Sequence, residues 1–482
     1  MTGDTRAVVL GTLLPGFEGT TLPAWVERML REGLAGVCLF GENIVDDAQL
    51  RALTAAITAA NPLALIAIDE EGGDVTRLYY DRGSPFPGNA ILGRIDEEET
   101  TRRVAVAVGR ELRRAGINLD FAPDVDVNSN PLNPVIGIRS FGADPVLVAR
   151  HAAAWTQGLQ STGVAASIKH FPGHGDTAED SHLALPSIAA DTDELRRREL
   201  LPFRDAIRAG ALTVMTSHIL VRSIDPSSPA TFSSPILQGI LREELGFTGV
   251  VVSDALDMAG ASGDIGIPAA AVRALAAGCD LLCIGTKNTE AQLEEIAELV
   301  AAEVDPARLD DAASRVRSLA AGLATEPVRA ADAELPGSDR IAEAFAISPE
   351  ADSALEGPGW VVLRVDAEPN VAIGEVPWGP FRAWARSGSP APVVSVSEVD
   401  SGEAAARIPP EASVLVIGRD NQRRPAVRSL IDALSNRHER VVAIDMGWPG
   451  DDPVYAGVAT YGASDAVGEA LVAMLNARGV RA

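Results

Sequence analysis

Short apolar runs alternate with amphipathic runs along the first two thirds of the chain. Each apolar run is five or six residues long and almost continuously apolar, as in parallel strands buried on both faces. Eight such runs, at 7–12, 35–40, 64–68, 117–121, 164–168, 212–216, 249–253 and 280–284, are predicted to be strands. Helical patterns separate them, at 22–32, 46–60, 97–115, 145–162, 191–209 and 268–277, and two closing helices are predicted between 288 and 325. This order predicts an α/β fold, a (β/α)8 TIM-type barrel over residues 1–325.

An open, doubly wound sheet is the alternative. It is disfavoured because no glycine fingerprint of the dinucleotide-binding type follows the first predicted strand. Residues 326–358 are predicted to be a linker, on the strength of Pro327, Pro336 and Pro349. Residues 359–482 are predicted to form a smaller C-terminal α/β sandwich domain with a structural or lid role. Its predicted strands are 360–365, 393–397, 413–418 and 440–447, and its predicted helices are 426–436 and 463–477.

Composition narrows the class of protein. The chain has 482 residues, of which 46% are hydrophobic and 22% charged, which is typical of a soluble globular protein. A net charge of −26 argues against binding to nucleic acid or to an anionic membrane. Cys38, Cys279 and Cys283 lie in apolar contexts and are predicted to be buried free thiols. The N-terminal residues lack the pattern of a signal peptide and no run approaches a membrane span, so we expect a cytoplasmic location.

The segment 169–182, Lys-His-Phe-Pro-Gly-His-Gly-Asp-Thr-Ala-Glu-Asp-Ser-His, is the densest group of titratable residues. It holds three of the six histidines of the chain and directly follows the fifth predicted strand. Polar groups also follow the other strands of the predicted barrel: Asp69-Glu70-Glu71, Asp120, Asp124, Asp126, Ser217-His218 and Asp254. Because barrel enzymes carry their sites at the carboxyl ends of the strands, these residues together predict a site for a polar ligand.

Three chemistries fit such a cluster. A metal site could use His170, His174 and His182 with Asp176 or Asp180, but no helical His-x-x-x-His pair is present. Lys169 could form a Schiff base, although acidic neighbours favour its charged state.

The third chemistry is glycoside cleavage. Asp254 could attack an anomeric carbon, and Asp180 could hold the imidazole of His182 as a proton donor. Asp69, Arg77, Arg139, Lys169 and His170 suit the binding of sugar hydroxyls. The glycine-flanked His174 is expected to let the chain swing.

At these residues the chain resembles glycoside hydrolase family 3, and within it the bacterial β-N-acetylhexosaminidase (β-N-acetylglucosaminidase) branch. The stretches that carry the resemblance are 36–44, 68–73, 130–142, 169–182 and 252–258. The resemblance implies that Asp254 is the nucleophile and that His182 is the acid/base, with Asp180 as its partner. It also implies that Asp69, Arg77, Arg139, Lys169 and His170 hold the N-acetylglucosamine ring, and that no metal or cofactor takes part. Glu70 is a departure, because the family often has glutamine there.

The implied activity is that of a retaining, exo-acting β-N-acetylglucosaminidase. It would act on terminal β-linked residues of cell-wall or chitooligosaccharide fragments by double displacement. The expected partner is a small carbohydrate, with no nucleic acid and no membrane. A β-N-acetylglucosaminide phosphorylase of the same chemistry is the nearest alternative. A Schiff-base lyase and a non-catalytic sugar-binding barrel are the more remote ones.

Overall fold

The computed structural model describes residues 3–178, 185–263, 265–323, 334–366, 372–387, 393–396 and 408–480. Contacts divide the chain into two compact units. The first unit comprises residues 1–71, 98–136 and 143–334, and the second comprises 72–97, 137–142 and 335–482.

Eight short parallel strands form the frame of the first unit. They are β1 (Leu13–Pro15), β2 (Gly36–Cys38), β3 (Leu65–Ile68), β4 (Leu119–Asp120), β5 (Ala165–Phe171), β6 (Thr213–Thr216), β7 (Val250–Val252) and β8 (Leu282–Gly285). Strands β2 to β7 pair in sequence order, and β8 pairs with β1. A bridge from Val252 to Leu281 joins β7 to β8, and the Ala35 N–H donates to the Leu10 carbonyl beside β1 and β2. The predicted TIM-type barrel is therefore confirmed.

The lumen of the barrel is filled by side chains from all eight strands. One apolar cluster contains Leu14, Cys38, Leu65, Ala67, Leu119, Ala165, Met215, Val250, Val252 and Cys283, and Val316 packs against it. Alternate residues of a strand, such as Leu65 and Ala67 of β3, join this one cluster. This is the pattern of a strand that turns one face toward the lumen. A packed lumen leaves the strand ends as the place for a ligand.

Helices connect the strands of both units. In chain order they are α1 (Gly3–Leu10), α2 (Ala24–Arg31), α3 (Asp47–Ala60), α4 (Asn89–Ile95), α5 (Glu98–Arg114), α6 (Pro145–Gln160), α7 (Thr192–Arg197), α8 (Leu200–Arg208), α9 (Ala259–Ser262), α10 (Ile267–Ala277), α11 (Glu290–Glu303), α12 (Pro306–Gly322), α13 (Ser338–Ala342), α14 (Pro349–Ala354), α15 (Phe381–Arg386), α16 (Pro425–Ser435) and α17 (Asp465–Ala477). A π-helix spans Pro235–Glu244. Among the described residues, no helix has the length and apolar character needed to cross a membrane.

Two predictions about the first unit were wrong in detail. The run 7–12 is not a strand: it lies mostly in α1, and the first strand is Leu13–Pro15. A short apolar run is compatible with either structure, and here only Val9 and Leu10 of the helix are buried. The single helix predicted over 191–209 is two helices, α7 and α8, separated at Arg198 and Glu199.

The second unit is built on a six-stranded sheet. Its strands are β9 (Ala346–Ile347), β10 (Trp360–Val365), β11 (Val393–Val396), β12 (Ser413–Gly418), β13 (Val441–Asp445) and β14 (Val458–Ala459). The order is β9-β14-β13-β12-β10-β11, and every pair is parallel except β9 with β14. Two apolar clusters, one with Trp360 and one with Leu363, take alternate residues of β10, so the sheet is covered on both faces.

The boundaries of this unit differ from those predicted. From residue 334 on, the predicted linker contains α13, β9 and α14, because Pro349 begins α14 and Ser348 caps it by accepting from the Ala351 N–H. Residues 72–97 also belong to this unit and not to the barrel. Within it, the Asp74 carboxylate accepts from the Ala463 N–H at 2.8 Å and pairs with Arg419 at 3.0 Å.

Candidate active site

Lys169 lies in the last half of strand β5, and its ammonium group is held between two carboxylates. The Lys169 Nζ atom lies 2.6 Å from Asp69 Oδ1 and 2.8 Å from Glu71 Oε1, and the side chain is only 2% exposed. Asp69 and Glu71 follow β3, which is two strands away from β5 in the sheet. Two carboxylates at hydrogen-bond distance stabilise the ammonium form, which has no lone pair for attack on a carbonyl. The geometry therefore disfavours the Schiff-base alternative.

The neighbouring His170 is fixed by Asp126, which follows β4. The His170 Nδ1 atom lies 2.7 Å from Asp126 Oδ2, and the His170 backbone N–H also donates to this carboxylate at 3.2 Å. The His174 backbone N–H donates to Asp126 Oδ1 at 2.7 Å. Burial acts to raise the pKa of Asp126, but the charge and hydrogen bond of His170 outweigh it and hold the pKa below its usual value. An ionised Asp126 thus orients the His170 ring.

Within the part of the chain that the structure describes, Asp124, Asp126 and His170 form a group with the geometry of a possible metal site. One ligand atom from each lies within 4.8 Å of the others. This set differs from the histidine set considered from the sequence, since His174 turns its Nδ1 atom toward Thr177 Oγ1 at 2.8 Å. Asp126 already accepts N–H groups from His170 and His174, which suits the anchoring of a loop better than the open coordination of a catalytic metal.

His174 is buried and its backbone is anchored. Burial and the charge of His170 lower the pKa of His174 to about 4, so its ring is neutral near pH 7. The charges of Asp126 and Asp254 act in the opposite direction, which means that both carboxylates are near this ring. The Asn133 side chain donates to the His174 carbonyl at 2.9 Å. The His174 backbone is thus hydrogen-bonded through both its N–H and its carbonyl, and a swing of the chain at this residue stays a prediction.

Asp254 follows β7. Its backbone N–H donates to Thr216 Oγ1 at 3.2 Å, and its Oδ1 atom accepts from the Ala255 N–H at 2.8 Å. His218 holds the same turn, with its Nε2 atom 3.0 Å from the Ala255 carbonyl oxygen. The Ala255 N–H thus orients the carboxylate of Asp254, and Thr216 holds the Asp254 backbone just after the end of the strand.

A second buried carboxyl group lies behind the Lys169 cluster. Asp120, at the end of β4, is fully buried, and its Oδ1 atom accepts from the Glu70 backbone N–H at 3.0 Å. Burial raises the pKa of Asp120 well above its usual value, and the charge of Glu70 adds to the rise.

Comparison with known proteins gives the family. Residues 21–319 match the model of the glycosyl hydrolase family 3 N-terminal domain, which is more than half of the chain. The chain belongs to glycoside hydrolase family 3.

Several relatives in this family are beta-hexosaminidases. Beta-hexosaminidase A of Pseudoalteromonas piscicida is 40% identical over 301 residues, which cover 58% of this chain and 49% of the relative. This chain therefore spans about half the length of that protein. The beta-hexosaminidase of Stenotrophomonas maltophilia (strain K279a) is 40% identical over 280 residues, which cover 56% of this chain and 82% of the relative.

Solved structures extend the similarity to both units. A family 3 beta-N-acetylglucosaminidase from Paenibacillus sp. str. FPU-7 aligns with a TM-score of 0.83 and 28% identity, covering 98% of this chain and 96% of the other. NagZ from Neisseria gonorrhoeae, in complex with N-trifluoroacetyl-D-glucosamine, aligns with a TM-score of 0.57 and 34% identity. That alignment covers 67% of this chain and 92% of the other.

The remaining predicted site residues of this family 3 chain fall into two groups. Asp180 and His182 lie outside the described residues. Arg77 and Arg139 belong to the second unit. Within it, the Arg77 guanidinium donates to the Ala372 carbonyl at 2.8 Å and to the Ile373 carbonyl at 3.2 Å. Arg139 is buried, and its carbonyl accepts from the Asn89 side chain at 2.7 Å.

Glu71 and Asp126 were predicted only as members of the polar group at the strand ends, although both hold predicted site residues. The alternation of side chains along an extended chain could have found Glu71, because it lies two positions after Asp69. Asp126 shows no such pattern, because it lies beyond the regular part of β4.

Proposed function

We propose that this chain is a retaining, exo-acting β-N-acetylglucosaminidase that releases terminal β-linked N-acetylglucosamine from cell-wall or chitooligosaccharide fragments. The observation that carries the proposal is the set of oriented polar groups at the carboxyl ends of the barrel strands: Asp69 with the buried Lys169, the buried His170, and Asp254 after β7. Such groups suit a ligand with several hydroxyls. The beta-hexosaminidase names of the relatives and the solved beta-N-acetylglucosaminidase support the choice of sugar.

In the first half of the reaction, the Asp254 carboxylate attacks the anomeric carbon. The bond to the leaving oxygen breaks, and that oxygen takes a proton from His182, whose ring Asp180 supports. The product is a glycosyl ester of Asp254. In the second half, neutral His182 takes a proton from water, the water oxygen attacks the anomeric carbon, and the Asp254 carboxylate leaves. Two inversions give net retention.

The Lys169 cluster would bind the sugar ring. Its ammonium group pairs with Asp69 and Glu71, and the carboxylate oxygens of this cluster can accept hydrogen bonds from sugar hydroxyls. His170, oriented by Asp126, would present its other ring nitrogen to the same ring. We assign Arg77 and Arg139 to sugar binding as part of the same proposal.

The test is turnover of a chromogenic aryl N-acetyl-β-glucosaminide by the wild type and by Asp254→Ala. We expect a loss of about 1,000-fold or more in kcat with Asp254→Ala, because removal of a nucleophile abolishes the covalent step. Asp257→Asn is the matched control, since Asp257 lies in the same turn and accepts from the N–H and the hydroxyl of Thr286, at 2.9 and 3.4 Å. Full activity in Asp254→Ala would contradict the mechanism.

The same assay separates the alternatives. Release of N-acetylglucosamine 1-phosphate in the presence of phosphate would identify a phosphorylase. Binding of N-acetylglucosamine without turnover by the wild type would identify a non-catalytic barrel. Trapping by borohydride at Lys169 would identify a lyase. The cytoplasmic location stays a prediction, which cell fractionation would test.

A further inference from the structure

We infer that Arg198 and Glu199 are positioning residues that hold the loop 172–178, and through it the acid/base of the proposed reaction. Both residues lie at the break between α7 and α8. The inference rests on the proposed function, because the loop leads directly to Asp180 and His182.

The first contact is between Glu199 and Gly173. The Glu199 side chain is fully buried and lies flat against Gly173, so that a Cβ atom added to this glycine would be 2.7 Å from Glu199 Cβ and 2.8 Å from Glu199 Oε2. Gly173 has a φ of +125°, which other residues rarely adopt. The first residues of the loop are thus shaped to fit this carboxyl group.

The second contact is made by Arg198. Its Nη2 atom lies 3.0 Å from Asp176 Oδ2, and its Nε atom pairs with Glu199 Oε1. Asp176 also accepts from Ser129 Oγ at 3.3 Å. Arg198 therefore joins Asp176 in the loop to Glu199 in the helix break, and Asp176 lies only four residues before Asp180.

The charges around Glu199 make this attachment depend on pH. Burial raises the pKa of Glu199 to about 7; Arg198 acts against the rise, and Asp126 and Asp176 add to it. These three are the charged groups among the described residues that act most strongly on Glu199. Above pH 7 the ionised carboxylate pairs with Arg198, and below it the protonated group pairs more weakly. The loop is therefore held more firmly on the alkaline side.

The position of a general acid matters most when the leaving group is poor. An aryl leaving group of low pKa departs without a proton, whereas a sugar or alkyl leaving group needs one. A displacement of the loop should thus lower turnover of a methylumbelliferyl or disaccharide substrate and spare a dinitrophenyl substrate. A purely structural contact would change both substrates equally.

The test measures kcat and KM of Glu199→Gln on a dinitrophenyl N-acetyl-β-glucosaminide and on chitobiose, from pH 5 to pH 9. We expect about a tenfold loss in kcat on chitobiose, less than threefold on the dinitrophenyl substrate, and little change in KM. In the wild type, the ratio of chitobiose to dinitrophenyl turnover should fall as the pH drops through 7. In Glu199→Gln the ratio should be low at every pH, because the side chain is neutral throughout.

Glu194→Gln is the matched control. Glu194 pairs with the same arginine at 2.6 Å but is 44% exposed and belongs to α7, so its loss should leave the ratio unchanged. If Glu199→Gln does not fold, Arg198→Gln is the second variant. It breaks the link to Asp176 at a side chain that is more exposed than Glu199, and the same low ratio of chitobiose to dinitrophenyl turnover is expected.

The outcomes separate the two proposals. Equal losses on both substrates, or a wild-type ratio independent of pH, would overturn the positioning role while Asp254→Ala still lacks activity. If Asp254→Ala is as active as the wild type, the proposed function itself is wrong.

Discussion

Replacement of Lys169 by methionine removes a cation that lies within 2.8 Å of both Asp69 and Glu71. Methionine keeps most of the buried volume, so the main change is the loss of the charge. Breaking a buried ion pair by deletion of one partner costs about 3–5 kcal/mol, because the other charge is left uncompensated. Unfolding entropy of about 2.1 cal/mol/K per residue gives roughly 0.6 kcal/mol/K for a barrel of about 300 residues. We therefore expect the melting temperature of the barrel to fall by about 5–8 °C.

The assay is thermal unfolding by intrinsic fluorescence, for Lys169→Met and for Lys287→Met at pH 7.5 and pH 5. Lys287 is the other lysine of the chain; its side chain is 59% exposed and pairs with Glu42 at 3.3 Å. The Lys287 variant should melt within about 2 °C of the wild type, since exposed pairs contribute little. The deficit of Lys169→Met should shrink at pH 5, because a buried carboxylate without a cation binds a proton more readily. A Lys169→Met protein that melts with the wild type would refute the assignment of Lys169 as the charge that keeps both carboxylates ionised.

Two further predictions concern the surroundings of the site. Asp120→Asn should stabilise the barrel by about 1 kcal/mol at pH 8 and by less at pH 5. The reason is that the raised pKa of Asp120 makes the wild type lose stability as the pH rises above the pKa that this group has in the unfolded chain. Thermal unfolding at both pH values checks this, and a variant less stable than the wild type at pH 8 would contradict it. Gly175→Ala should cost about 1–3 kcal/mol and lower turnover, because the added Cβ atom would lie 1.7 Å from the Val127 carbonyl oxygen. The control is Gly239→Ala, where the added Cβ atom meets nothing within 4 Å. Equal effects of the two variants on unfolding and on glycoside turnover would argue against the close approach at Gly175.

The hydrophobic pattern was sufficient to predict most strands of the barrel, but it failed where an element is short. Seven of the eight predicted strands overlap strands of the structure, because each is a short and mostly apolar run in a largely buried strand. The first strand, Leu13–Pro15, has three residues and ends in proline, so it carries almost no periodic signal. The assignment of residues 72–97 to the second unit could not be predicted, because it depends on contacts such as Asp74 with Arg419 that are distant in sequence.

For the site, the sequence predicted where the polar residues lie but not which of them pair. The rule that polar residues collect at the carboxyl ends of parallel strands predicted Asp69, Lys169, His170 and Asp254 as neighbours of one mouth. It did not predict which carboxylate meets which cation. Asp69 and Glu71 are two positions apart and both reach Lys169, whereas the residue between them, Glu70, donates its backbone N–H to Asp120.

This alternation determines what effect Glu70 has at a position where the family often has glutamine. A second carboxylate beside Asp69 would have weakened the ion pair with Lys169 if it had pointed the same way. Glu70 is instead fully buried next to Asp120, whose pKa is raised by burial and further by the charge of Glu70. A carboxyl group that holds its proton compensates for the extra carboxylate, since the pair then carries one negative charge and not two. The raised pKa of Asp120 therefore offsets part of the negative charge that the departure at Glu70 adds.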